Sequence, residues 1–310
     1  MNFSFLKKLL PLAGLAIFAY IVMQVGIDNI LAAALSSNPL LLLVAVLFII
    51  PVTILQTKKW DYLLKKQGIH EDFLWVLKIN LIGIFYSAIT PGKIGSFIRI
   101  NYLKEKRKIG LANASLSVIF DRFFDLAGLS LVSLVGLIMI FRNLEFLFAW
   151  ILGAFIIFAI PTIIFLHKNL REKFLSVAFG ILYQSAPEKK EGTFRLFLSY
   201  LENRMDFAYP LLLSVITWLV IFTQTYVVAL AFGFNVPFID FIFILPVAAL
   251  VSVVPITLAG LGTREAILIT LLVPYGESPA AIVSVSLISY VLLVVLESML
   301  GFLISLGEKH

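Results

Sequence analysis

A group of ionisable residues falls inside stretches that are otherwise apolar, and their types suit the holding of a phosphate. Lys93 and Arg99 stand in one such stretch, Arg264 and Glu265 in another, and Asp121, Arg122 and Asp125 in a third; Glu297 lies alone in a fourth. A charge placed at membrane depth costs about 2.5–3.5 kcal/mol on insertion scales, so such residues face a partner or a wet cavity. Asp121 and Asp125 are four apart and share a helix face. A pair of that kind can hold Mg²⁺ against a lipid diphosphate, but no second acidic motif accompanies it. Arg122, between the two, favours an ion-pair network instead. His70, His167 and His310 all fall in loops or at the terminus, and the 310 residues include no cysteine. No metal site and no cofactor are expected. Neither a phosphate-binding loop, a dinucleotide fingerprint nor a nucleophile elbow is found.

The elements that must position these residues are membrane spans. Apolar residues make up 61% of the chain and charged residues 14%, with a mean hydropathy of +1.04; soluble domains run near 45–50% and 25%. The apolar runs are continuous rather than alternating, which excludes a β-barrel. The net charge of +6 is explained by basic cytoplasmic loops, and no nucleic-acid partner is expected. Full spans are predicted at Leu9–Val25, Leu40–Thr57, Ala112–Phe141, Phe146–Leu166, Leu211–Ala231 and Ala280–Leu306. The first of these reads as an uncleaved span rather than a signal peptide, because it is too long for an h-region.

Two further apolar regions, 73–103 and 241–273, are broken near their middles. Pro91, Gly92 and Gly95 break the first; Pro255, Gly260 and Gly262 break the second. Basic clusters at Lys58, Lys59, Lys65 and Lys66 and at Lys104, Lys106, Arg107 and Lys108 flank the first on both sides. If basic flanks are cytoplasmic, that region enters and leaves on one face. The second, flanked by Asp240 and Glu277, is re-entrant from the opposite face. The fold expected is therefore an all-α polytopic membrane protein, one domain over 1–310, with six full transmembrane helices and two opposed re-entrant helical hairpins. Residues 1–141 and 146–310 then form an inverted-topology repeat, with both termini cytoplasmic at the plasma membrane. Thr90, Ile94, Gly95 and Ser96 recur as Thr257, Leu261, Gly262 and Thr263 at constant spacing. The segment 167–209 reads as two amphipathic helices on the cytoplasmic surface.

Irregular backbone survives in hydrocarbon only when it is buried in protein or lines a wet cavity. Two opposed hairpins are thus expected to line one cavity, where helix N-termini favour an anion. Arg99, Arg122, Arg264, Glu265 and Lys93 are the expected head-group contacts, with Asp121, Asp125 and Glu297 as exchangeable ion-pair partners. Trp60, Trp75, Trp150 and Trp218 suit interfacial positions. Ser284, Ser286 and Ser289 with Gly301 suit helix packing.

The run from Pro91 to Arg99 (Pro-Gly-Lys-Ile-Gly-Ser-Phe-Ile-Arg), followed by Ala114-Ser115 and Asp121-Arg122-Phe123-Phe124-Asp125, resembles the first signature of the flippase-like domain family. That family comprises the membrane domain of lysylphosphatidylglycerol synthases and stand-alone relatives. The run from Pro255 to Glu265 (Pro-Ile-Thr-Leu-Ala-Gly-Leu-Gly-Thr-Arg-Glu) resembles its second signature. The resemblance implies movement of a lipid with an anionic or phosphate-bearing head group, such as a polyprenyl-phosphate or glycolipid carrier, between leaflets. It implies Pro91, Gly95, Arg99, Arg122, Asp125, Gly260, Gly262, Arg264 and Glu265 as the functional set. Asp121 departs from it, standing where the family more often has Glu. The expectation is lipid transport rather than enzyme activity. A Mg-dependent enzyme acting on a lipid diphosphate, and a non-transporting partner of a glycosyltransferase or lipid-modifying enzyme, are the alternatives.

Overall fold

The computed structural model describes residues 23, 26–90, 95–140, 208–253 and 262–307. The expected spans at 9–25 (save Met23) and 146–166, most of the amphipathic segment, and the tips of both broken regions lie outside the described residues. So do Pro91, Gly92, Lys93, Pro255 and Gly260.

Among the described residues every regular element is helical. In chain order they are α1 (Ile27–Leu35), α2 (Pro39–Leu47), α3 (Ile49–Lys66), α4 (Phe73–Ile89), α5 (Ile98–Arg107), α6 (Leu111–Ile140), α7 (Ala208–Ala231), α8 (Phe238–Val253), α9 (Thr263–Leu272), α10 (Pro279–Tyr290) and α11 (Leu296–Gly307). A π-helical turn, Val291–Val295, joins α10 to α11. Their starts are written locally. The Asn38 carboxamide oxygen accepts the Leu40 N–H at 2.9 Å ahead of Pro39, and the Asp72 carboxylate accepts the Leu74 N–H at 3.0 Å. Ser278 caps α10 ahead of Pro279. Each satisfies a donor that a helix start leaves orphaned.

Among the described residues four helical stretches are long and apolar enough to cross a membrane: Pro39–Lys66, Asn113–Met139, Ala208–Ala231 and Pro279–Gly307. They coincide with four of the expected spans, with one instructive difference. The span expected to stop at Thr57 continues to Lys66, through residues read from sequence as a basic cytoplasmic flank. Lys59 and Trp60 are buried on it, so the charge is neutralised inside the protein rather than hydrated outside it. The outer faces are apolar at helical spacing: Leu43, Leu47, Ile50 and Ile54 are exposed on one span, Leu131, Val135 and Ile138 on another, and Met299, Leu303 and Leu306 on a third. Lipid tails are the natural cover for such stripes.

The two broken regions share one construction. The first comprises a 17-residue helix, α4, and a 10-residue helix, α5; the second comprises a 16-residue helix, α8, and a 10-residue helix, α9. At 1.5 Å per residue the longest is about 26 Å, short of a core of about 30 Å. The ends of each region lie together. Arg107 pairs with Glu71 at 2.7 Å and stacks over the Trp75 ring. At the second region the Asn235 N–H donates to Glu277 Oε1 at 2.9 Å, and Tyr275 is hydrogen-bonded to Asp240. Burial and the neighbouring Asp240 push the Tyr275 phenol above its ordinary value.

The longer arm of each region packs most extensively on a span distant in sequence: α4 on α11, and α8 on α6. Both contacts are close backbone approaches. A Cβ on Gly301 of α11 would overlap the Leu81 carbonyl of α4, and one on Gly136 of α6 would overlap the Phe243 carbonyl of α8. Ser133 of α6 also donates to the Pro246 carbonyl of α8 at 2.9 Å. Among the described residues two large apolar cores result. One surrounds α4 and α5 with Trp60, Val76, Ile79, Ile82 and Leu103. The other surrounds α8 and α9 with Leu129, Phe222, Phe241, Ile244 and Leu268. Ile49, Val52 and Leu293 form a small seam linking α3 to the π-helical turn.

Candidate functional site

Three elements bring charge together in the first core. Lys59 comes from α3, Arg99 from α5, and Asp121, Arg122 and Asp125 from α6. Asp121 is the centre, about 15 Å along α6 from its start. Its Oδ1 lies 3.1 Å from Lys59 Nζ and its Oδ2 2.7 Å from Arg99 Nη2. Lys59 also pairs closely with Asp125. Arg99 is 0% exposed: its Nη1 donates to Asn80 Oδ1 at 3.1 Å and its Nε to the Ser96 carbonyl at 3.2 Å. Its guanidinium lies 4.6 Å from the Trp60 ring centroid. Trp60 donates to Ser117 Oγ at 3.3 Å, and Asn80 donates to Thr57 Oγ1 at 3.2 Å. Arg99 is therefore held on every side and anchors the arm that carries it.

Arg122 is held differently. Its side chain is 28% exposed, and its contacts are longer: 3.6 Å to Asp121 and 3.4 Å to Asp125, which is itself 23% exposed. Its Nε is buried without a hydrogen-bond partner. Among the described residues the cluster sets Lys59, Arg99 and Arg122 against Asp121 and Asp125. It is one cation in surplus, an arrangement that repels Mg²⁺ and attracts an anion. Trp218, expected at an interface, donates its indole N–H to the Asp125 carbonyl at 2.9 Å and fixes that turn of α6.

The second cluster lies at the start of α9. Glu265 is fully buried and accepts from the Gly262 N–H at 2.7 Å, the Ser286 hydroxyl at 2.6 Å and Arg264 Nη2 at 3.1 Å. Gly262 has a positive φ of 87°, which glycine adopts without strain. Arg264 also donates to the Ser286 carbonyl at 3.1 Å and lies over the Tyr290 ring. The helix N-terminus expected to offer its N–H groups to an anion is thus capped by its own third residue, Glu265, because that carboxylate reaches back over one turn.

Gly95 sits where a Cβ would overlap the Tyr86 carbonyl, and its N–H donates to Thr90 Oγ1 at 2.7 Å, so it lies close against the end of α4. Glu297 is buried at the first turn of α11, just after the π-helical turn, and accepts from Thr53 Oγ1 at 2.6 Å. Sequence reasoning missed Lys59, Trp60 and Asn80. Lys59 shares the helix face of Val52 and Leu63, and Asn80 is a lone amide in an apolar run; both were available signals. Ser286, expected as a packing residue, is also a hydrogen-bond donor to Glu265.

Comparison with known proteins adds the lineage. The family model for the lysylphosphatidylglycerol synthase TM region matches residues 9–301. A UPF0104 membrane protein of Methanocaldococcus jannaschii is 24% identical over 312 residues, spanning 96% of this chain and 92% of that protein. One of Pyrococcus horikoshii is 21% identical over 336 residues, spanning 98% and 97%, and one of Methanothermobacter thermautotrophicus is 20% identical over 292 residues, spanning 88% and 86%. The chain is a helical membrane protein that belongs to the lysylphosphatidylglycerol synthase TM-region family.

Proposed function

We propose that this protein binds a lipid with an anionic, phosphate-bearing head group in its polar interior and carries it between bilayer leaflets. One observation carries the reading: five ionisable side chains from three helices converge, four of them on helices long and apolar enough to cross a membrane, with a surplus cation, Arg122, that is loosely paired and partly exposed. Buried charge of this extent weakens rather than strengthens a membrane domain, so a function is the economical reason for it. Arg122 takes the phosphate, Lys59 and Arg99 hold Asp121 and Asp125 in place, and Arg264 is a second contact on the other broken region.

The architecture proposed is two opposed re-entrant hairpins within an inverted repeat. Three features support it: the joined ends of each broken region, the matched arm lengths, and the exchange by which α4 packs on α11 and α8 on α6. Rocking of one half against the other then alternates access. The site is placed in the plasma membrane with both termini cytoplasmic, and transport rather than catalysis is its work. The test is reconstitution in liposomes containing a fluorescent phosphatidylglycerol, with quenching of the outer leaflet. Wild-type protein should expose inner-leaflet lipid at least tenfold faster than protein-free vesicles, and Arg122→Gln should abolish the gain. Equal rates with and without protein would sink the transport reading.

A further inference from the structure

We infer that the site is charge-matched to a singly charged phosphodiester head group, and that Asp125 sets the match. The inference rests on the lipid-binding reading above and names its substrate class. Asp121 is tied at both oxygens, to Lys59 and to Arg99, and is buried; a ligand has no route to displace it. Asp125 has one tight partner, Lys59, and one loose one, Arg122 at 3.4 Å. An arriving phosphate oxygen replaces Asp125 on Arg122 while Asp125 stays on Lys59. No carboxylate is left unpaired by the exchange. Arg122 then offers its two terminal Nη groups, which reach Asp121 and Asp125 only at 3.6 and 3.4 Å, to two non-bridging oxygens. Bidentate pairing of that kind is the strong geometry for guanidinium and phosphate.

Charge fixes which phosphate. Three cations and two carboxylates leave one positive charge among the described residues, so a monoanion brings the cluster to neutrality. A phosphomonoester in its doubly charged form, or a diphosphate, leaves uncompensated negative charge at membrane depth, where ion solvation is poor. Removing the Asp125 charge raises the surplus to two and should reverse the preference. Asp125 is suited to this role: it is 23% exposed and is not the residue that braces Arg99.

The experiment is native mass spectrometry of the full-length protein in detergent at pH 8.5, where a phosphomonoester carries its second charge. The probes, in equal amounts, are phosphatidylglycerol, phosphatidic acid, a polyprenyl diphosphate and phosphatidylcholine, with water-soluble glycerophosphoglycerol as a competitor. Wild type should retain phosphatidylglycerol at least tenfold over phosphatidic acid and the diphosphate. Asp125→Asn should invert that ratio, Asp125→Glu should keep it, and Arg122→Gln should lose all three anions; a melting curve for each variant confirms folding. Equal retention of the three anions by wild type, or an unchanged ratio in folded Asp125→Asn, overturns the charge match while leaving anionic-lipid binding intact. Retention of no anion above phosphatidylcholine overturns the lipid-binding reading itself. Displacement of bound lipid by glycerophosphoglycerol at equal concentration overturns the lipid as the source of the head group.

Discussion

Arg99 and Arg122 share a carboxylate, Asp121, yet they answer different demands. Arg99 is enclosed by Asn80, Ser96, Trp60 and Asp121, so Arg99→Ala leaves a buried carboxylate short of a partner and should cost about 3–5 kcal/mol. Arg122 is partly exposed with long contacts, so Arg122→Gln should cost no more than about 1 kcal/mol while ending lipid retention. Thermal melts in one detergent read the first effect, and lipid binding reads the second. A similar melt for both variants would remove the distinction between anchor and ligand contact. Sequence spacing was enough to single out Asp121, Arg122, Asp125 and Arg99 as candidates, because charge inside apolar runs is conspicuous. It was not enough to rank them. Whether an arginine is enclosed or reachable depends on which helices cover it, and Lys59 was hidden because a basic residue near a span end looks like a flank.

Helix breaks, by contrast, were legible at the scale of elements. Proline and glycine inside apolar runs, with like-charged flanks, pointed to both broken regions, and α4, α5, α8 and α9 lie where those breaks put them. Their packing partners were not legible, since the contacts are made by apolar surface and by glycines that look alike on any span. Gly301 shows what is at stake. Its close approach to the Leu81 backbone leaves no room for a side chain, so Gly301→Val should separate α11 from α4 and cost about 1–3 kcal/mol. The same change at Gly307, where a Cβ meets nothing, should cost far less. Equal melting temperatures for the two variants would show that the seam yields freely. At the base of the first region, Glu71→Gln removes a partly exposed ion pair and should shift stability by only about 0–1 kcal/mol.

For the molecule as a whole, the absence of cysteine makes topology directly measurable. Single cysteines at Asp72 and Lys106 should react with an impermeant thiol reagent from one side of sealed vesicles, and single cysteines at Asp240 and Glu277 from the other. Labelling of Asp72 and Lys106 from opposite sides would sink the re-entrant reading of 73–103. The membrane class and four of the spans could be read from composition and run length, which need no tertiary information. The exchange of partners across the chain could not. That exchange has a consequence for biosynthesis. The arm α4 leaves the ribosome about 200 residues before the helix that covers it, α11. Throughout elongation α4 must therefore shelter against the translocon, lipid or a chaperone. Truncation after Ile140 and before Leu296 should release a chain whose first half is fully synthesised yet lacks the cover for α4, and is marked for membrane proteolysis.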